Sequence, residues 1–128
     1  MEYACKVAGS KVIVVLGHEG CGAVKAACDS VELGNITSLL SNISPSVQAV
    51  KNDISGPYDS GNDIFVNAAI KENVSQTISK IREMSPILSS LEENNDITNI
   101  KQTTVFIFLN RINKAIYIIL PFMLYIKG

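Results

Sequence analysis

One short segment holds the side chains best suited to chemistry. His18 is the one histidine of the chain, and Cys21 follows three residues later within the run GHEGCG at residues 17–22. Neutral imidazole and thiolate are the two most common zinc ligands, and a tight glycine-rich turn can aim a His-x-x-Cys pair at one ion. A zinc site needs three or four ligands. The pair therefore indicates part of a metal site and does not complete one.

Other interpretations of this segment stay open on residue types alone. In the plainest, which is the more common for an isolated His and Cys at this spacing, His18 is a hydrogen-bonded loop residue and Cys21 a small buried thiol. A helix beginning at Gly22 would favour the thiolate of Cys21, which could then act as a nucleophile with His18 as its base. Nucleotide binding is disfavoured, because the glycines are spaced G-x-x-G-x-G and no Walker lysine follows.

The flanking elements must position the segment. Val12–Leu16 is a run of five apolar, mostly β-branched residues without alternation, which predicts a strand covered on both faces in a parallel sheet. Ala23–Asp29 contains small, good helix formers, so a helix starts directly after the glycines. Ligands of α/β proteins lie at such carboxyl ends of strands. Gly17, Gly20 and Gly22 would supply the backbone angles and the room beside an ion.

The rest of the chain is mainly helical up to about residue 95. Asp63–Met84 is the clearest element, because a helical stripe of five β-branched residues predicts a core-packing face. Pro45 is expected to bend a weaker helix. The remaining predicted elements are a helix tail ending at Gly9 (Glu2–Gly9), the bent helix (Ile36–Asp53), a short helix capped by Ser85 (85–93), and two strands (Thr103–Leu109 and Ala115–Leu120).

Residues 2–27, EYACKVAGSKVIVVLGHEGCGAVKAA, closely resemble the middle of the β-class carbonic anhydrases. In that family a helix of the type (E/Q)YA precedes a strand and then G-H-x-x-C-G-(A/G)-V-x-A-A. The resemblance continues through Asp63–Asn94 and covers roughly residues 2–97. This combination of motifs is specific, and it favours the metal-site interpretation of His18 and Cys21 over the plain one.

The resemblance implies an α/β fold around a mainly parallel sheet, a dimer or higher homo-oligomer, and reversible hydration of CO2 to bicarbonate. The family binds Zn²⁺ through two cysteines and a histidine, with water or an aspartate in the fourth position. His18 and Cys21 match the histidine and the second cysteine. Zinc lowers the pKa of its bound water toward 7, so that hydroxide can attack CO2 at neutral pH.

The sequence also departs from the family pattern. The family's other zinc cysteine lies in a Cys-x-Asp-Ser-Arg motif on an earlier strand, and no such motif occurs here. Cys5 and Cys28 fall within predicted helices and are expected to be core residues. We therefore expect an N-terminally truncated fold that lacks the third ligand, and an unpaired sheet position where the earlier strand would lie.

Charge is distributed unevenly along the chain. All twelve acidic residues lie within residues 1–96, whereas residues 97–128 contain four basic residues and no acid. The change falls where the resemblance ends. We predict an incomplete β-carbonic-anhydrase-like α/β domain at residues 1–97 and a divergent, apolar, basic tail at residues 98–128 that adds edge strands.

Composition limits the class of protein further. A chain of 128 residues with 47% hydrophobic residues is long enough for one domain with its own core. A net charge of −1 gives no electrostatic case for nucleic-acid binding. Three cysteines at irregular spacing, without a signal-peptide pattern, predict a reducing, cytoplasmic compartment.

A membrane span is disfavoured as well. The apolar window Val105–Ile126 contains Arg111 and Lys114 toward its middle, where each costs about 2.5–3.5 kcal/mol. The uninterrupted part, Ala115–Ile126, is shorter than the roughly 20 residues that cross a bilayer. A buried hairpin is the better prediction.

The sequence thus predicts a β-type carbonic anhydrase whose zinc site is partial and whose activity is weak or lost. The alternative is a non-catalytic remnant that associates with a complete subunit. A thiol enzyme using Cys21 and His18 is a third hypothesis.

Overall fold

The computed structural model of the chain describes residues 1–104 and 117–119, and it describes side-chain burial for residues 1–97. Helices dominate the first 93 residues, and strands lie near both ends of the described part, which confirms the predicted α/β class. The elements are α1 (Glu2–Lys6), β1 (Val12–Gly17), α2 (Gly22–Cys28), α3 (Gly34–Leu40), α4 (Ser44–Val50), α5 (Asp63–Met84), α6 (Pro86–Glu93), β2 (Thr98–Thr104) and β3 (Tyr117–Ile119).

The described strands form one sheet with β1 in the centre, in the order β2-β1-β3. Both neighbours run parallel to β1. On one side the pairing extends from Val12 opposite Thr98 to Gly17 opposite Thr104, with an irregularity near the start. On the other side three residues of β1, beginning with Ile13 opposite Tyr117, pair with β3. Strands from the tail therefore lie on both sides of β1, so the expected unpaired sheet position does not lie beside this strand.

The tail strands differ from the sequence prediction. β2 begins at Thr98, five residues before the predicted start at Thr103, because pairing with β1 recruits the polar run TNIKQTT. β3 lies inside the predicted run Ala115–Leu120. The rest of both predicted runs, and most of the apolar window that was considered as a membrane span, lie outside the described residues. Within the described part, no helix is long and apolar enough to cross a membrane.

One face of β1 is packed more tightly than the other. Ile13 and Val15 are buried, whereas Val12 and Val14 are half-buried. The buried residues pack with α1, α5 and α6 in the sheet-side cluster. No residue of β1 is exposed, so both faces are covered as predicted, one of them more completely than the other. The sheet-side cluster consists of Cys5, Ile13, Val15, Val74, Ile78, Ile81, Leu88, Leu91 and Ile97.

Helix α5 has the bounds that its periodicity predicts, and it joins the two parts of the core. Asn62 caps it by accepting a hydrogen bond from the Phe65 amide at 3.2 Å. Its C-terminal half contributes to the sheet-side cluster, and its N-terminal half to the helix-side cluster. The helix-side cluster consists of Cys21, Val24, Ala27, Cys28, Leu40, Ile43, Val47, Val50, Phe65, Val66, Ala69 and Ile70.

The single bent helix predicted over Ile36–Asp53 is two helices. Pro45 lies in the first turn of α4, where a missing amide hydrogen costs nothing, so the chain starts a new helix there. The fully buried Ser46 hydroxyl lies 3.0 Å from Gln76 Oε1 and 3.4 Å from Asn73 Oδ1, and it donates toward them. This polar contact fixes α4 against α5.

Ser85 connects the start of α6 to α1. Its side chain caps α6 by accepting from the Leu88 amide at 3.2 Å, as predicted, and its hydroxyl donates to a carboxylate oxygen of Glu2 in α1. Helix α1 is shorter than its predicted extent to Gly9, since it ends at Lys6. Arg82 and Glu92 join α5 to α6 through two hydrogen bonds of 2.7 Å.

We predict that Ser85→Ala lowers the free energy of unfolding by about 1–2 kcal/mol, because it removes a helix cap and the partner of Glu2. Chemical denaturation measures the change. Ser79→Ala is the matched control, because Ser79 is exposed on α5 and bonds only to the preceding turn of its own helix. Equal stability of the two variants would contradict the connecting role of Ser85.

Candidate metal site

The GHEGCG segment forms the turn between the end of β1 and the start of α2. Gly17 is the last residue of β1, and Cys21 is the N-cap of α2. The backbone carbonyl of Cys21 accepts a hydrogen bond from the Lys25 amide at 2.9 Å. His18 and Cys21 therefore lie on one short turn at the carboxyl end of the central strand, as the sequence predicts.

The glycines of the turn have different roles. Gly20 adopts a φ of +65°, a left-handed conformation that glycine accommodates without strain. A Cβ at Gly22 would meet nothing within 4 Å, so the space beside the start of α2 is open. Gly17 is different, because a Cβ there would lie 2.8 Å from a methyl group of Ile70. Glycine is thus required at Gly20 for its left-handed backbone conformation, and at Gly17 because the strand lies so close to α5.

A hydrogen bond to the backbone orients the imidazole of His18. Its Nδ1 lies 3.0 Å from the backbone carbonyl oxygen of Glu19. Because a carbonyl oxygen only accepts, Nδ1 carries the proton and donates. In the neutral ring Nε2 then has a lone pair, which is the arrangement found in histidines that bind metals through Nε2.

Cys21 lies on the inner side of the same turn. Its side chain is 4% exposed and belongs to the helix-side cluster, next to residues of α2, α4 and α5. A thiol binds zinc as the thiolate, so zinc binding there requires loss of a proton from a buried group.

The other two cysteines are core residues, as predicted. Cys5 packs in the sheet-side cluster and Cys28 in the helix-side cluster, and all three cysteines are free thiols. Burial raises the pKa of both, and it raises the pKa of Cys28 to about 11, with a further contribution from the neighbouring Asp29 carboxylate. Neither is disposed to form a thiolate at neutral pH.

The structure places the two side chains that the sequence predicts as zinc ligands, the imidazole of His18 and the thiol of Cys21, on one turn. Among the residues that the structure describes, no group of three or more His, Cys, Asp or Glu side chains gathers where it could hold an ion.

Contacts that the sequence did not reveal hold α2 in place behind the turn. At its C-terminal end, Asp29 Oδ1 accepts from the Ser60 amide at 2.8 Å, and hydrogen bonding from Ser60 lowers the pKa of Asp29. Lys25 approaches Asp63 at the start of α5 to 3.8 Å. The second contact is exposed and adds little stability. The segment SGPYDSGN at residues 55–62 thus supports the C-terminal end of α2.

Comparison with known proteins places the site in a family context. A family model described as carbonic anhydrase matches residues 1–106. The matched range includes the GHEGCG turn, α5, α6 and β2, and it extends past residue 97, where the resemblance was expected to end. No curated protein and no solved structure gives a significant match.

The raised pKa of Cys28 predicts its reactivity. In the double variant Cys5→Ala/Cys21→Ala, the alkylation rate of native Cys28 should rise about tenfold per pH unit from pH 7 to 9.5 without a plateau, because the thiolate remains the minor form below pH 11. The same variant in denaturant should level off near pH 9. A plateau near pH 9 in the native state would contradict the burial of this thiol.

Proposed function

The chain belongs to the β-class carbonic anhydrase family, and from that membership we propose that its GHEGCG turn is the family's zinc-binding turn, present here as a partial site. The observation that carries the proposal is the placement of His18 and Cys21 on one turn, with Nδ1 of His18 hydrogen-bonded to the Glu19 carbonyl. In this proposal His18 binds Zn²⁺ through Nε2, and Cys21 binds it through its thiolate.

Zinc, if bound here, would supply the family's chemistry, in which a water of lowered pKa provides hydroxide for the hydration of CO2 to bicarbonate. The contribution of the described residues is to hold the metal. The hydrogen bond to Glu19 orients the His18 ring, and the packing of α2 fixes Cys21. CO2 and bicarbonate are the proposed substrate and product.

Two protein ligands make a weak site, because zinc sites in proteins use three or four. A metal held by His18 and Cys21 alone has two or more positions left to water or other ligands, and nothing among the described residues fixes them. We therefore propose that this chain by itself hydrates CO2 slowly or not at all.

A second proposal is supported by the same shortage of ligands. The chain would be a non-catalytic member of the family that associates with another subunit, either a copy of itself or a complete enzyme. Because β1 is paired with both β2 and β3, an added strand would pair at the outer side of one of them or displace β3, whose described residues pair with β1 at three positions.

We predict that the isolated chain binds Zn²⁺ and that His18→Ala and Cys21→Ala each lower the affinity at least tenfold, since each removes one of two protein ligands. Titration calorimetry of the purified protein measures the affinity. Cys5→Ala is the matched control, because Cys5 is also a buried cysteine but lies in α1. Zinc affinity that is unchanged by both site variants would contradict the proposal.

We predict that stopped-flow assays with added Zn²⁺ give CO2 hydration by this chain close to the uncatalysed rate, because the site lacks fixed ligands beyond two. Metal analysis of the same sample reports zinc per chain. One tightly bound zinc per chain together with zinc-dependent turnover would contradict the partial site.

The proposed association has its own test. Size-exclusion chromatography with light scattering should give at least twice the mass of one chain, as expected for a homo-oligomer of this family. A stable, well-folded, zinc-free monomer would contradict association of the chain with itself. Co-purification with a complete carbonic anhydrase subunit would then test whether the chain associates with a complete enzyme.

A further inference from the structure

The carboxyl end of β1 lies unusually close to α5. A Cβ added to Gly17 would lie 2.8 Å from Ile70 Cγ2 and 2.9 Å from Val74 Cγ2. Both methyl groups belong to buried side chains, 3% and 0% exposed. Ordinary contacts between carbon atoms are about 3.5–4.0 Å, so no side chain larger than hydrogen fits between the strand and the helix as they stand.

These neighbours cannot easily move aside. Ile70 and Val74 are β-branched residues inside a helix, where a single χ1 rotamer is strongly preferred. Their Cγ2 atoms are one bond from the Cβ, so they are not the far ends of flexible side chains. An alanine at position 17 would therefore separate the end of β1 from α5 by about 0.5–1 Å.

The separation would fall on the candidate metal site. Gly17 is bonded directly to His18, and Ile70 packs in the helix-side cluster that contains Cys21. The strand-end contact thus sets how far His18 lies from the helices that hold Cys21. Metal ligands must be placed to within about 0.5 Å for tight binding.

We infer that Gly17 is a positioning residue for the His18–Cys21 pair, acting through its close contact with Ile70 and Val74 of α5. The part that concerns zinc rests on the proposed function. The part that concerns the position of the turn does not, because it follows from packing alone.

The test compares the wild type with Gly17→Ala and with a compensated variant, Gly17→Ala/Ile70→Leu/Val74→Ala, in which both obstructing Cγ2 methyl groups are removed. Ile13→Val is the control, because it removes one methyl group from a buried residue near the start of the same strand, far from the turn. The first measurement is the NMR signal of the His18 imidazole in metal-free protein, which is unambiguous because the chain has one histidine. The second is zinc affinity by calorimetry.

We expect Gly17→Ala to shift the His18 imidazole and Cys21 Cβ resonances and to lower zinc affinity at least tenfold. The compensated variant should restore both, and Ile13→Val should change neither while lowering the melting temperature. A general loss of stability would instead make Gly17→Ala and Ile13→Val behave alike.

The outcomes separate the two claims. Wild-type zinc affinity no better than that of His18→Ala would overturn the proposed function, and the NMR comparison would still decide the role of Gly17. Unshifted His18 and Cys21 signals in Gly17→Ala would overturn the inference. If Gly17→Ala does not fold, the compensated variant decides: native signals support the inference, and failure to fold or displaced signals overturn it.

Discussion

The close packing of β1 on α5 is the constraint on which the rest of the described structure depends. β1 is the central strand, and α5 contributes to both hydrophobic clusters. Where the strand ends, only the hydrogen of Gly17 separates it from Ile70 and Val74. The chain must turn at that point, and the turn contains the only imidazole of the protein.

The same constraint explains why the candidate ligands come together. The strand brings His18 to the sheet edge, and α2 begins with Cys21 against the helix-side cluster. Hydrogen bonding to Glu19 leaves one imidazole nitrogen free, and burial surrounds the thiol with apolar side chains. Membership of the β-class carbonic anhydrases is the reason to propose His18 and Cys21 as zinc ligands. The described residues provide no further ligand beside them. The proposal of weak or absent activity follows because two protein ligands are fewer than the three or four that zinc sites use.

Sequence reasoning succeeded where the signals are local. The bounds of α5 follow from its apolar stripe, and the start of α6 follows from its cap at Ser85. The sequence also placed His18 and Cys21 on one turn. Sequence reasoning failed where the structure of a segment depends on a distant segment that packs or pairs with it. The polar run of β2 forms a strand because β1 offers it hydrogen bonds, and the tight contact at Gly17 depends on a helix more than fifty residues away. No local pattern encodes either one.

The central claim is that this chain holds zinc through one histidine and one cysteine. X-ray absorption at the zinc edge of the metal-loaded protein counts the ligands directly, since sulfur scatters at about 2.3 Å and imidazole nitrogen at about 2.0–2.1 Å. The account predicts one sulfur and one imidazole per zinc, with the remaining positions filled by light atoms. Two sulfurs per zinc, or none, would contradict it.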